Sequence, residues 1–77
     1  MTNPELFERL RTVRRRLADA ESVPAFVVFS DAVLWRMASL TPQTRADMLA
    51  ISGIGAVKME RYGAAFLEVL TQEKPSE

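Results

Sequence analysis

Two glycines separated by one isoleucine, Gly53-Ile54-Gly55, stand between two helical patterns in this chain of 77 residues. Gly53 has no Cβ, so it can adopt the left-handed conformation that ends a helix at its C′ position. Ile54 is then predicted to point inward as an apolar peg. Gly55 is predicted to let the backbone approach a neighbour closely as the next helix begins. The sequence therefore predicts a tight corner between two helices.

The helix that follows this corner begins with amides that lack acceptors within the helix, those of Gly55, Ala56 and Val57. Free amides at the positive end of a helix, with Lys58 one turn in, are typical of a phosphate cradle. The alternative is a tight turn that needs glycine for its shape alone, because such short motifs often match by chance. The pattern leaves both interpretations open.

The composition predicts one globular domain over residues 1–77, with a core at about 4–71 and a frayed tail at 72–77. The chain has no cysteine and no histidine, which excludes disulfides, thiolate nucleophiles, imidazole bases and the usual zinc sites. No pair of acidic residues lies on an apolar pattern, so we predict no catalytic residue and no metal site. No apolar run reaches the ~18 residues of a membrane span, and a cytoplasmic domain is expected.

Positive charge is concentrated in the first helix, although ten basic residues balance ten acidic ones overall. Residues 1–16 contain five arginines and two glutamates. Arg11 and Arg15, four residues apart, are predicted on the solvent face with Arg14 beside them. This distribution favours a weak, locally charged nucleic-acid binder over a protein that coats nucleic acid by bulk charge. The alternative is a solvated face with local acid pairs, such as Glu8 with Arg11.

Apolar residues at spacings of three and four predict an all-α fold, a compact bundle of about five helices: four segments long enough to form helices and one shorter element. The first helix is predicted to begin at Asn3-Pro4 and to fade between Asp19 and Ser22. The other predicted elements are a single-turn or irregular segment at Pro24–Phe29, a central helix from Ser30-Asp31 to Thr41-Pro42, a short helix from Arg45 to Ile51 with Met48, Leu49 and Ile51 facing the core, and a last helix from about Gly55 to Thr71.

Aromatic residues are divided between the core and the surface in this prediction. The segment 26–29 is apolar throughout, and one face of a bundle cannot bury all four residues, so Phe26 is predicted to be exposed. Trp35 and the ring of Tyr62 are predicted in the core, with the Tyr62 hydroxyl at the surface or hydrogen-bonded. Gly63, inside the last helix, predicts a close helix contact at that position.

Several segments, in this order and spacing, resemble an HRDC domain (helicase and RNase D C-terminal domain), most closely that of RecQ helicases. They are Leu6–Arg11, Val23–Ala32, Met48-Leu49, Ile51–Gly55, Lys58 and Arg61–Leu67. The resemblance covers about residues 5–70. It implies a five-helix bundle that acts as a non-catalytic accessory module of a DNA helicase. Any ATP and Mg would then be used by the parent helicase core, and this domain would need no cofactor.

The resemblance also implies partners and a binding patch. The implied partners are single-stranded or branched DNA and the parent's own helicase core, with no membrane and a monomeric isolated domain. An aromatic residue at the position of Phe26 belongs to the family's DNA-contacting patch. This chain departs from the family at three positions: Ala25 stands where a proline is usual, Phe26 where a tyrosine is usual, and Glu5 where a basic residue may stand. The predicted nucleic-acid-binding residues are Arg11, Arg14, Arg15, Phe26, Gly55, Lys58 and Arg61. A protein-interaction module, supported by the zero net charge, and an RNA-orienting homologue are the alternatives.

Overall fold

This computed structural model describes residues 3–72 of the chain. Five helices, joined by short connections, form this part of the chain. They are α1 (Pro4–Glu21), α2 (Ala25–Val28), α3 (Asp31–Leu40), α4 (Arg45–Leu49) and α5 (residues 56–72). That part of the chain contains no strand, so the predicted all-α bundle of about five helices is confirmed. The two short helices, α2 and α4, occupy the positions of the predicted single-turn or irregular segment and of the predicted short helix. Within residues 3–72, no helix has the length and apolar character needed to cross a membrane.

Side-chain caps start three of these helices where the sequence predicted them. The Asn3 side-chain oxygen accepts a hydrogen bond from the amide of Leu6 at 3.1 Å. The hydroxyls of Ser30 and Thr44 accept in the same way at 3.3 and 3.0 Å, at the starts of α3 and α4. Each cap satisfies an amide that has no partner inside its helix. The helix starts are therefore encoded locally, in single residues.

The core lies where α1, α3 and α5 meet, with α2 packed against α1. Phe29 is fully buried, and its ring meets the ring of Phe66 edge-on at a centroid distance of 5.3 Å. Ile54 is buried, as the predicted apolar peg at the corner. Trp35, predicted in the core, is only partly buried and stacks on the ring of Phe7 with centroids 3.9 Å apart. Leu49, also predicted to face the core, is exposed.

The exposure of Leu49 follows from the brevity of α4. The helix has only five residues and ends at Leu49, so it contributes a single inward position, and Met48 occupies it. Successive helical residues are about 100° apart around the axis, which turns Leu49 away from the core. The chain then bends back, and Ile51 is buried by the turn after α4.

Helix α5 combines three segments: an α turn at Ala56–Lys58, a π turn at Met59–Gly63 and an α segment at Ala64–Gln72. Its predicted apolar spacing is confirmed, since Met59, Tyr62, Phe66 and Leu70 are all buried.

Gly63 has a close contact of a kind the sequence did not indicate. A Cβ at Gly63 would lie 2.3 Å from Sδ of Met59, so the closest contact at this position is with a side chain of the same helix and not with a neighbouring helix. The predicted frayed tail began at Gln72, but Gln72 is helical and its side chain accepts a hydrogen bond from Arg9 at 2.8 Å. Residues 73–77 lie outside the described residues.

Candidate nucleic-acid interface

An open groove of about 440 Å³ lies between α1 and the first residue of α2. Its lining residues are Glu8, Arg11, Thr12, Arg14, Arg15 and Ala25. The groove therefore brings together the three arginines that the sequence placed on one face of the first helix. Phe26 follows Ala25 directly, and 70% of its surface is exposed, which confirms the predicted exposure of this ring. We refer to this region as the α1–α2 groove.

Arg14 is the arginine that departs from the prediction. The sequence placed it on the solvent face, but only 8% of its surface is exposed. One guanidinium nitrogen, Nη1, donates to the main-chain carbonyl of Phe29 at 2.9 Å, and Nη2 forms an ion pair with Asp31 at 2.8 Å. The expected surface position of Arg14 is therefore wrong. Its charge is used to hold the junction between α2 and α3.

The position of Arg14 on α1 explains this burial. It follows the buried Val13 directly and comes four residues after the buried Leu10, so it lies at the edge of the apolar stripe. The carbonyl of Phe29, at the end of the single-turn α2, needs a donor from elsewhere because no further helical turn supplies one. A local pattern cannot reveal that need, since Phe29 is fifteen residues further along the chain.

The other two arginines of the groove remain at the surface. Arg11 Nη1 lies 3.2 and 3.1 Å from the two carboxylate oxygens of Glu8, which confirms the local acid pair that the sequence offered as an alternative. Arg15 is exposed and forms no ion pair with any residue between 3 and 72. Of the groove's three arginines, Arg15 therefore presents the one charge that no described carboxylate neutralises.

The two glycines of the corner have different environments. Gly53 has a positive φ of 99°, as predicted, and a Cβ there would lie 2.6 Å from Cγ2 of Val33 in α3. Gly55 has extended backbone, and no atom lies within 4 Å of the position its Cβ would take. The close approach expected at Gly55 is therefore wrong, and it occurs at Gly53. Since α4 already ends at Leu49, Gly53 lies in the turn beyond that helix and not at its C′ position.

The surface of this region, residues 53–57, which we call the double-glycine corner, is accessible. Gly55, Ala56 and Val57 are all exposed. The amide of Met59 donates to the carbonyl of Gly55 at 2.9 Å, so the helical hydrogen bonds of α5 begin there and the preceding amides lack acceptors within the helix. Lys58 is partly buried, with Nζ 5.9 Å from the centroid of the Phe29 ring.

Arg36 also reaches the double-glycine corner, a position that no sequence pattern indicates. Its Nη1 donates to the main-chain carbonyl of Ser52 at 3.2 Å and lies 3.7 Å from the position of a Cβ on Gly53. Arg36 belongs to α3, and only the packing of α3 against the corner brings it there. No spacing or motif in the sequence could have identified this third cation beside Lys58 and Arg61.

Arg61 is exposed but paired. Its Nη2 lies 3.3 Å from Oε1 of Glu21, and the same oxygen accepts a 2.8 Å hydrogen bond from the Tyr62 hydroxyl. The buried ring and hydrogen-bonded hydroxyl of Tyr62 confirm the prediction for that residue. The hydrogen bond to Glu21 raises the pKa of Tyr62, burial raises it further, and the positive charge of Arg61 opposes both effects. Glu21 thus connects the end of α1 to the π turn of α5.

Four carboxylates in residues 3–72 lie against arginines. The ion pairs are Glu8–Arg11, Asp31–Arg14, Glu60–Arg45 and Glu21–Arg61. In that part of the chain, no group of three or more acidic residues is arranged to hold a metal ion. Acidic side chains therefore reduce the positive charge of this surface at specific points, Arg11 and Arg61 above all.

Comparison with known proteins gives the same assignment as the resemblance. Residues 3–70 match the HRDC domain family. The chain is 49% identical over 70 residues to the ATP-dependent DNA helicase RecQ of Pasteurella multocida, 41% over 70 residues to that of Haemophilus influenzae, and 47% over 66 residues to that of Bacillus subtilis. These alignments cover 91%, 91% and 86% of this chain but only 11% of each relative. The chain belongs to the HRDC domain family.

Proposed function

We propose that this chain is a non-catalytic accessory domain of a RecQ-family DNA helicase, which binds single-stranded or branched DNA weakly and influences the choice of substrate. Under this proposal, ATP and Mg are used by the parent helicase core. The observation that carries the proposal is the exposed ring of Phe26, directly beside a residue that lines the α1–α2 groove. The helicase relatives support the DNA context.

The exposure of Phe26 is informative because this core can bury aromatic rings. Phe29, three residues later, is only 1% exposed. Burying a phenylalanine stabilises a fold by about 1.5–3 kcal/mol, so an exposed ring gives up that stabilisation unless a partner covers it. A nucleic-acid base stacked on the ring would contribute about 1–3 kcal/mol. Under this proposal Arg15, which lines the groove, contacts the phosphate backbone beside such a base.

Weak binding follows from the charges. Residues of both signs balance over the whole chain, so no long-range field attracts a polyanion. Two phosphate contacts on a single strand, from Arg15 and Lys58, would give a slope of log affinity against log salt of about −1.4. Such binding becomes useful when the helicase core already holds the DNA, because the core raises the effective concentration of DNA at this domain.

The experiment is a chemical-shift titration with a single-stranded oligonucleotide at two salt concentrations, on the wild type and on Phe26→Ala. We expect Phe26→Ala to weaken binding by about 1–3 kcal/mol without lowering thermal stability, because the ring is exposed. Leu40→Ala is the matched control, since Leu40 is another exposed apolar residue and does not line the groove. Equal affinity of Phe26→Ala and the wild type, or shifts confined to other surfaces, would contradict the proposal.

A second candidate function is a protein-interaction module that docks on the helicase core. The observation that favours it is a second cleft, formed at the end of α3 and beside α4, with Leu40, Pro42 and Ile51 among its lining residues. Leu40 is 63% exposed there. A titration of this domain with isolated core domains, in the absence of DNA, discriminates the two functions: binding that Leu40→Ala abolishes and Phe26→Ala retains favours the protein-interaction function.

A further inference from the structure

We propose that Glu8 limits the DNA affinity of the α1–α2 groove by competing with a phosphate for Arg11. This inference rests on the proposed function, namely that the groove contacts DNA. Glu8 lines the groove, and its two carboxylate oxygens both lie within hydrogen-bond distance of the same guanidinium nitrogen of Arg11. A carboxylate in this position provides the same type of acceptor that a phosphate would provide.

The polar groups of the groove are largely occupied within the protein. Arg14 is held by Asp31 and by a main-chain carbonyl. The hydroxyl of Thr12 donates to the main-chain carbonyl of Glu8 at 3.1 Å. With Arg11 paired to Glu8, only Arg15 presents a charge that no described carboxylate neutralises. The groove therefore offers one phosphate contact where its composition indicates three.

Of the two paired arginines, only Arg11 is itself exposed to solvent. The Arg11 and Glu8 side chains are 46% and 63% exposed, whereas the Arg14 side chain is 10% exposed. An exposed ion pair contributes little to stability and exchanges readily with solvent and ions. A phosphate can thus displace Glu8 from Arg11, but the displaced carboxylate stays on the same face of α1 and repels it.

The test compares Glu8→Gln with the wild type by fluorescence anisotropy of a labelled single-stranded oligonucleotide. We expect Glu8→Gln to bind about fivefold more tightly at low salt, where an exposed charge has its largest effect. The slope of log affinity against log salt should steepen by about 0.7, the value of one additional contact. Its affinity should therefore fall about 2.6-fold more than that of the wild type between about 50 and 200 mM salt.

The matched control is Glu68→Gln, which changes the net charge equally. Glu68 is exposed on α5, does not line the groove and forms no ion pair within residues 3–72. Its substitution should leave the affinity within about twofold of the wild type. Equal tightening by Glu68→Gln and Glu8→Gln would overturn the inference, because the effect would then come from net charge alone.

The remaining outcomes separate the inference from the proposed function. If Glu8→Gln binds like the wild type while Arg15→Ala and Phe26→Ala weaken binding, the inference fails and the proposed function stands. If none of these three variants differs from the wild type, both fail. The side-chain Nε–H resonance of Arg11 gives a direct readout: DNA should shift it more in Glu8→Gln than in the wild type. Glu8→Ala serves as a second variant, since alanine and glutamine are both compatible with a helix interior.

Discussion

The α1–α2 groove and the double-glycine corner present positive charge to the solvent by different means. In the groove the charge belongs to side chains, and neighbouring acceptors already hold Arg11 and Arg14. At the corner the donors are main-chain amides at the start of α5, on residues that are exposed. The side chain of Arg36 reaches the corner but donates to the main-chain carbonyl of Ser52 and not to a group at the start of α5. Side-chain charge can thus be neutralised by a neighbour, whereas the amides of a helix start stay available unless something covers them.

This difference decides how each region responds to substitution. The affinity of the groove for a phosphate depends on which ion pairs its arginines form, so one surface substitution can change that affinity while the fold stays intact. The arrangement of the main-chain amides at the corner depends on backbone geometry, in particular on the positive φ of Gly53. These amides therefore form a donor site only when the turn is folded. Variants of the exposed groove residues should therefore affect mainly DNA binding, whereas variants that disturb the backbone of the corner should affect mainly stability.

The largest expected effect is that of Gly53→Ala at the corner. Alanine would have to adopt a φ of 99°, and its Cβ would lie 2.6 Å from a methyl group of Val33. Backbone strain and overpacking together should lower the free energy of unfolding by about 3 kcal/mol. For a domain of this size the melting temperature should fall by more than about 10 °C, measured by circular dichroism.

Gly55→Ala is the control, because it adds the same methyl group two residues away. No atom lies within 4 Å of the new Cβ and the backbone there is extended. The free energy of unfolding should change by less than about 0.5 kcal/mol. If the amides beside Gly55 bind a phosphate, this variant should still weaken DNA binding. Equal destabilisation by the two variants would contradict the claim that a Cβ is strained at position 53 and tolerated at position 55.

The next largest effect is expected for Arg14→Ala in the groove. Removing this guanidinium leaves the buried carbonyl of Phe29 without its donor and Asp31 without its partner. The free energy of unfolding should fall by about 2 kcal/mol in chemical denaturation, less than for a fully buried pair because Asp31 is exposed.

Arg15→Ala, one residue further along α1, should change the free energy of unfolding by less than about 0.5 kcal/mol while weakening DNA binding. The two substitutions remove the same formal charge from the same groove. If Arg14→Ala unfolds at the denaturant concentration of the wild type, the structural role of Arg14 is wrong.

Much of the fold could be predicted from the sequence because its signals are local. Single residues cap α1, α3 and α4, and the four-residue apolar stretch that follows Pro24 forms a single turn with its first ring exposed. The exposure of Leu49 could not be predicted, since it depends on whether α4 continues beyond five residues. The contact at Gly63 likewise depends on the side-chain conformation of Met59 in a π turn.

The candidate site was less predictable because its charges are set by contacts between distant segments. The sequence placed Arg11, Arg14 and Arg15 together correctly, but the partner of Arg14 lies in α3 and that of Arg61 at the end of α1. Among the four ion pairs described above, Glu8–Arg11, at a separation of three, is the one that helix geometry could indicate. Arg36 became visible only through packing.

A smaller effect is expected for Lys58→Ala, which tests whether the corner contributes to binding. Lys58 forms no ion pair within residues 3–72, so its loss should reduce the salt slope of DNA binding by about 0.7. Its ammonium lies over the ring of Phe29, and loss of that contact should lower stability by no more than about 0.5–1 kcal/mol. Arg61→Ala should change the salt slope less, because Glu21 already neutralises Arg61. Equal slopes for the two variants would contradict this ranking.

The smallest effect concerns Tyr62, whose bond to Glu21 joins the helix of the groove to the helix of the corner. Since Glu21 raises the pKa of Tyr62 above the ordinary value of 10.0, the unfolded chain loses this proton first and the folded protein binds more protons above that pH. Stability should therefore fall as the pH rises from about 10 through the folded pKa. Tyr62→Phe should remove this component of the pH dependence. Tyr62 is the only tyrosine, so tyrosinate absorbance reports its titration directly. Glu21→Gln should lower the pKa of Tyr62, and an unchanged titration would contradict the link between the two helices.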